Sequence, residues 1–207
     1  MLGLNCINVF KVVLMGDSGS GKTSFINRFY DDMTNEHIPT INVEVRTLSF
    51  PNKQKQNKPD EQNNEQEENK SKEQCSEPAP QCEKDQTTKH DHKNNVFINV
   101  WDTAGYHEYK GESHIRYSNA NIIFFDITDT SSYDRVLDLA DECSEYYNMP
   151  IILVGNKCDL LLGRRKDVII NNIKNTSRYH FIPMSVLSMH NFFEPFDYLI
   201  NEILPIR

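Results

Sequence analysis

The sequence predicts an α/β fold that opens on a phosphate-binding strand–loop–helix unit. Three observations predict it. Residues 16–23 read Gly16-Asp17-Ser18-Gly19-Ser20-Gly21-Lys22-Thr23, the G-x-x-x-x-G-K-[ST] pattern, between an apolar run at 9–15 and the helical spacing of Phe25, Ile26 and Phe29. A second apolar run, at 151–155, ends in Asn156-Lys157-Cys158-Asp159. A third, at 96–100, ends in Trp101-Asp102-Thr103-Ala104-Gly105.

Val9-Phe10-Lys11-Val12-Val13-Leu14-Met15 is rich in β-branched residues and reads as a buried strand. The glycines after it let the backbone wrap a phosphate chain with its N–H groups pointing inward. The helix beginning near Ser24 adds the positive end of its dipole. Lys22 supplies a point charge for the β- and γ-phosphates, and Thr23 a hydroxyl for Mg²⁺. Thr40, in Pro39-Thr40-Ile41, is placed to complete the Mg²⁺ shell, which wants six oxygens. Asp102, at the end of its strand, can hold a Mg²⁺-bound water. Gly105 has no side chain, so its N–H can reach a γ-phosphate.

Asp159 selects the base. Its carboxylate can accept from guanine N1–H and the exocyclic N2 amine, whereas adenine leaves it unpaired. A buried unpaired acceptor costs about 1–3 kcal/mol, more when charged. Asn156 would tie this loop to the phosphate loop, and the Lys157 stem would cover the base face. A small-substrate kinase also carries Gly-Lys-Thr, but it explains neither 101–105 nor 156–159, and no Arg-rich lid follows.

These motifs, in this order and spacing, resemble the Ras-like small GTPases. Trp101–Gly105, Gly155-Asn156-Lys157-Cys158-Asp159-Leu160, and Phe125-Asp126-Ile127-Thr128-Asp129 followed by Ser132-Tyr133 are most similar to the Rab branch. The resemblance runs from about Val9 to Leu204. It implies one domain, a P-loop G domain with a six-stranded, mostly parallel sheet and helices on both faces. It implies GTP and GDP with Mg²⁺ as ligands and a two-state switch with mobile segments near Thr40 and over 106–117. Those segments would meet an exchange factor, an activating protein and effectors, with the chain a monomer.

One segment interrupts the pattern. Residues 51–95 contain no Ile, Leu, Val, Met, Phe, Tyr or Trp. Such a stretch cannot bury enough apolar surface to offset its ordering entropy. Strands at 41–50 and 96–100 flank it, and the family joins these by a tight hairpin. The expectation is a disordered insertion at a hairpin tip, tolerated because loop-closure entropy grows only logarithmically. Cys75, Cys82, His90 and His92 lie inside it. Their spacing matches no standard zinc finger, and no apolar residue is there to pack around a metal.

A net charge of −8 argues against nucleic acid and against unassisted binding to an anionic membrane. No apolar run reaches membrane-span length, and residues 1–6 lack a signal peptide's charged start and apolar core. Gly3 stands one position too late for myristoylation. Five scattered cysteines fit a reducing compartment. The expected location is cytoplasmic, peripheral on endomembranes.

Four departures from the family pattern bear on function. The residue after Gly105, normally a water-orienting Gln, is Tyr106, with His107 next as the substitute if the loop shifts by one. The guanine-side loop reads Ser185-Val186-Leu187 instead of Ser-Ala-Lys, after a strand at 181–184. The Val186 N–H can still meet guanine O6. The aromatic that flanks the base in the first switch is replaced by Met33 or Thr34. No Cys follows Cys158, so prenylation is not expected and membrane association is indirect, or through a tail absent from this chain. Two functions remain open: a slow GTPase switch in intracellular vesicle or protein traffic, or a GTP-binding interaction or assembly subunit with vestigial hydrolysis.

Overall fold

A computed structural model describes residues 8–30, 40, 43–51, 95–105 and 114–204. The strands are β1 (Asn8–Gly16), β2 (Val43–Pro51), β3 (Asn95–Thr103), β4 (Ala120–Asp126), β5 (Ile151–Asn156) and β6 (His180–Pro183). The helices are α1 (Lys22–Phe29), α2 (Thr130–Tyr147), α3 (Gly163–Thr176) and α4 (Glu194–Tyr198), the last continuing as a π turn over Leu199–Ile203. The six strands form one sheet in the order β2-β3-β1-β4-β5-β6. Only the β2–β3 pairing is antiparallel. The predicted six-stranded, mostly parallel sheet is what the chain forms.

Alternation along each strand divides the core. Val12, Leu14, Ile98, Val100, Ile122, Phe124, Ile152 and Val154 face one side, where Phe25 of α1 and Phe196 of α4 pack. Val13, Met15, Ile123, Phe125 and Leu153 face the other, against Val136, Leu139 and Ala140 of α2 and Ile173 of α3. Successive strand residues point to opposite faces, so a strand covered on both sides must be apolar throughout. That is why β5 is apolar over 151–155 and β4 over 122–125. Helices therefore lie on both faces, as predicted. Phe25 anchors one layer, its ring stacked on Phe196 at 5.5 Å between centroids and tilted against Phe124 at 5.2 Å.

Element ends depart from the sequence reading by a residue or two. The helix expected near Ser24 already begins at Lys22, because Gly21 takes φ +100 and turns the chain into it. β2 and β3 each extend one residue into the segment read as an insertion, and Pro51 pairs with Asn95. Proline is accommodated there because β2 is the sheet edge. The remainder of that segment, with Cys75, Cys82, His90 and His92, lies outside the described residues, as do Met33, Thr34, Tyr106 and His107.

The topology fixes where a ligand can sit. β1 lies between β3 and β4, with β2 and β3 on one side and β4, β5 and β6 on the other, so strand order reverses at β1. In open α/β sheets the ligand crevice lies at the carboxyl ends of the strands beside such a switch point. The loop after β1 is residues 17–21.

Candidate functional site

The phosphate loop is held by glycine geometry. Gly16, Gly19 and Gly21 all have positive φ. At Gly21 space matters as well: a Cβ there would lie 2.1 Å from Asn156 Nδ2. No side chain caps α1, so its first-turn N–H groups are left for a ligand at the loop. Lys22 is buried, and its ammonium donates to the carbonyls of Gly16 at 2.9 Å and Asp17 at 2.8 Å. The cation thus folds back over the loop it follows.

Next to Lys22, three oxygen-bearing side chains from three parts of the chain meet. Thr23 Oγ1 donates to Asp102 Oδ2 at 2.6 Å and lies 2.8 Å from Thr40 Oγ1. Asp102 is 3% exposed, and its other oxygen, Oδ1, has no hydrogen-bond partner among the described residues. Burial pushes the Asp102 carboxyl above the usual range, opposed by the Thr23 hydrogen bond and the Lys22 charge. An unpartnered buried carboxylate oxygen among two hydroxyls is a hard-oxygen donor set that suits Mg²⁺. Strand β3 positions Asp102 through its neighbour: Thr103 Oγ1 donates to the Leu14 carbonyl of β1 at 2.7 Å.

Gly105 lies against the phosphate loop, where a Cβ would come within 2.7 Å of the Ser18 nitrogen. Any side chain at 105 would push this segment away from the loop.

The other wall of the site comes from β5 and β6. Asn156 ends β5, and its Nδ2 donates to the Ser20 carbonyl at 2.8 Å, tying this strand to the phosphate loop. Its Oδ1 accepts from the Val186 N–H at 3.2 Å. The N–H expected to meet guanine O6 is therefore engaged with Asn156. Lys157 takes φ +65, and its ammonium donates to Asp126 Oδ2 at 2.7 Å. Asp126 Oδ1 accepts from the Thr128 N–H and hydroxyl. Burial pushes the Asp126 carboxyl up, but these hydrogen bonds outweigh it and hold its pKa below the usual range. Asp159 is half-buried on the 3₁₀ turn Cys158–Leu160. Ser185 is fully buried, its Oγ accepting from the Ser188 N–H at 3.0 Å, whereas Leu187 is 73% exposed.

Gly16, Asp17, Ser18, Gly19, Ser20, Gly21, Lys22, Thr23, Ser24, Thr40, Asp102 and Gly105 thus gather at the end of β1, with Asn156, Lys157, Asp159 and 185–187 beside them. Asp126, Ser132 and Arg135 also border this site. Asp126 carried a signal, since it closes an apolar strand run as Asp102 and Asn156 do. Arg135 on α2 carried none: it donates to Asp17 Oδ2 from 118 residues away.

Comparison with known families agrees with this geometry. The model of the Ras family matches residues 68–205, about two thirds of the chain. The model described as "Ras of Complex, Roc, domain of DAPkinase" matches residues 11–66, which hold the phosphate loop. A sheet whose order reverses at a glycine phosphate loop, an Asn-Lys-x-Asp wall tied to that loop, and a family match over most of its length make this chain a member of the Ras family, a GTP-binding switch GTPase.

Proposed function

We propose that the chain is a Mg²⁺-dependent switch of the Rab-like kind, acting as a monomer in intracellular vesicle or protein traffic, with slow intrinsic GTP hydrolysis. The observation that carries the Mg²⁺ part is the Thr23–Thr40–Asp102 cluster with its unpartnered Asp102 Oδ1. Thr23, Thr40 and Asp102 would hold Mg²⁺, which would supply positive charge beside the phosphate chain. The chain's own contributions are separate. Lys22 is aimed back over the loop, the α1 N–H groups are uncapped, and Gly105 lies close enough to Ser18 for its N–H to follow the γ-phosphate. Thr40 and Gly105 stand in the two segments that would report whether that phosphate is present. Exchange factor, activating protein and effectors would read those segments.

The Rab-like assignment rests on the strings at 101–105, 125–133 and 155–160. Slow hydrolysis rests on Tyr106 in the place of the water-orienting Gln. Tyr106 also favours the second reading, a GTP-holding interaction or assembly subunit whose hydrolysis is vestigial. Location in the cytoplasm or peripherally on endomembranes follows from the same resemblance.

One experiment separates these. The purified full chain is loaded with GTP and followed through a single turnover with Mg²⁺ and with EDTA, and ATP is tried as competitor. Expected are GDP and GTP retention that EDTA abolishes, no competition from ATP, and slow conversion to GDP. Retention indifferent to EDTA overturns the Mg²⁺ assignment, and absence of any conversion selects the assembly-subunit reading.

A further inference from the structure

The phosphate loop carries its own anion. Asp17 follows Gly16 directly, and a carboxylate there faces two difficulties in a site built for phosphate. It repels the ligand's charge, and it can compete for Lys22, whose ammonium already donates to the Asp17 carbonyl at 2.8 Å. The carboxylate belongs to the very residue whose carbonyl that cation touches.

The fold holds the carboxylate elsewhere. Arg135, one turn into α2, donates to Asp17 Oδ2 from Nε at 2.9 Å and from Nη2 at 2.6 Å. Ser132 Oγ, on the same face of α2, donates to the same oxygen at 3.1 Å. Arg135 is itself oriented, since its Nη1 donates to Ser131 Oγ at 3.0 Å and Asp129 lies 3.6 Å from Nη2. The Asp17 side chain is 14% exposed and Arg135 38%, so the pair is screened only in part. Three donors converge on one carboxylate oxygen from a helix distant in sequence.

We infer that Arg135 is a positioning residue for nucleotide binding: with Ser132 it clamps and neutralises Asp17, so that Lys22 and the loop N–H groups remain available to phosphate. The inference rests on the phosphate loop being the nucleotide site. The helix that carries Arg135 begins immediately after Asp126–Asp129, and Asp126 holds Lys157 of the base-side loop. One short stretch of chain therefore steadies both walls of the site.

The test is a double-mutant cycle on the full-length chain, read as GDP affinity and GDP dissociation rate, with thermal melting recorded alongside. Arg135→Ala should weaken GDP by about tenfold or more, as expected when a partly desolvated charge loses its partner beside an anionic ligand. Arg135→Lys should fall between it and wild type, because a point charge replaces the fork. In the Asp17→Asn background, Arg135→Ala should change GDP affinity less than threefold, since no carboxylate is left to restrain. A merely structural Arg135 would predict the same loss in both backgrounds, and that result overturns the inference. So does an Arg135→Ala chain that folds and binds GDP as wild type does. A wild-type chain that fails to bind GDP at all overturns the nucleotide-site reading itself, and this inference with it.

Discussion

Asn156 donates to the Ser20 carbonyl across 136 residues of sequence, and this single 2.8 Å bond joins the base-side wall to the phosphate loop. Both partners are almost fully buried. Because Asn156 also accepts from Val186, one amide fixes the relative position of three loops. Asn156→Ala should leave the Ser20 carbonyl and the Val186 N–H without their partners. The expected loss is about 1–3 kcal/mol of folding stability, the usual cost of unsatisfied buried groups. GDP dissociation should accelerate at least tenfold. Urea midpoints and nucleotide-release kinetics read the two effects separately.

Asp102 shows the reverse relation between site and stability. Its buried carboxylate has one oxygen without a partner among the described residues, and desolvation is the largest influence on it, ahead of the Thr23 hydrogen bond and the Lys22 charge. Asp102→Asn should therefore raise the melting temperature of nucleotide-free protein, by roughly the 2–4 °C that about 1 kcal/mol gives at this size. The same change should weaken the Mg²⁺ dependence of GTP retention. A variant that is both less stable and unchanged in Mg²⁺ response would contradict this account.

Lys157 and Asp126 make a pH-dependent brace. Hydrogen bonds hold the Asp126 pKa below its ordinary value, so the folded chain favours the ionised form. A depressed pKa contributes stability that is present above the unfolded-state pKa and is lost as pH falls through the folded-state value. Wild type should thus exceed Lys157→Ala in stability at neutral pH, and the gap should close below about pH 4. Both side chains are partly solvent-screened, so the gap itself is about 1 kcal/mol or less. Denaturant midpoints at pH 7, 5 and 3.5 would trace it.

Much of this site was legible because its signals are short in sequence. A glycine loop between an apolar run and a helical repeat needs only residues 9–29 to be read. Polar strings such as 101–105 and 156–159 stand directly after their strands, so the strands' direction places them on one edge of the sheet. The pairing of Arg135 with Asp17 is different. It depends on α2 packing beside β4 with a particular face toward the loop, and no local pattern encodes that contact. Strand ends were also obscure: Asp102 and Thr103 look like the start of a loop, yet Thr103 pairs with Val43 and remains in the strand. The bond from the Val186 N–H to Asn156 is likewise a tertiary contact that no local string encodes.

The register β1–β3 and β2–β3 gives a prediction for residues 52–94. Asn8 pairs with Val96 and Pro51 with Asn95, while Leu14 pairs with Asp102. The chain from Pro51 to Asn95 therefore leaves and re-enters at the end of the sheet opposite the phosphate loop. At about 3.3 Å per strand residue, those anchors stand roughly 23 Å from Asp102. Replacing 52–94 by a two-residue Asn-Gly turn should keep the hairpin register and leave GDP affinity within about threefold. Collapse of binding in a variant that still melts cooperatively would assign this segment a part in the site.

The proposal of slow hydrolysis rests on one residue of the sequence. Lys22, Thr23, Thr40 and Gly105 are the residues proposed to meet the γ-phosphate and its Mg²⁺, and Gly105 is followed by Tyr106. A phenol offers one donor on a rigid ring. An amide offers a donor and an acceptor together, which can hold an attacking water in line with the bond to be broken. Positioning supplies most of the acceleration in phosphoryl transfer, and one lost orienting contact commonly costs about 10²–10³ in rate. Tyr106→Gln should accordingly raise single-turnover GTP hydrolysis by at least tenfold without tightening GDP binding. His107→Ala tests the neighbouring imidazole as the substitute base: a fall in the residual rate assigns it that role. If Tyr106→Gln and His107→Ala both hydrolyse GTP at the wild-type rate, the water is held by a group from elsewhere, and the slow-switch proposal fails.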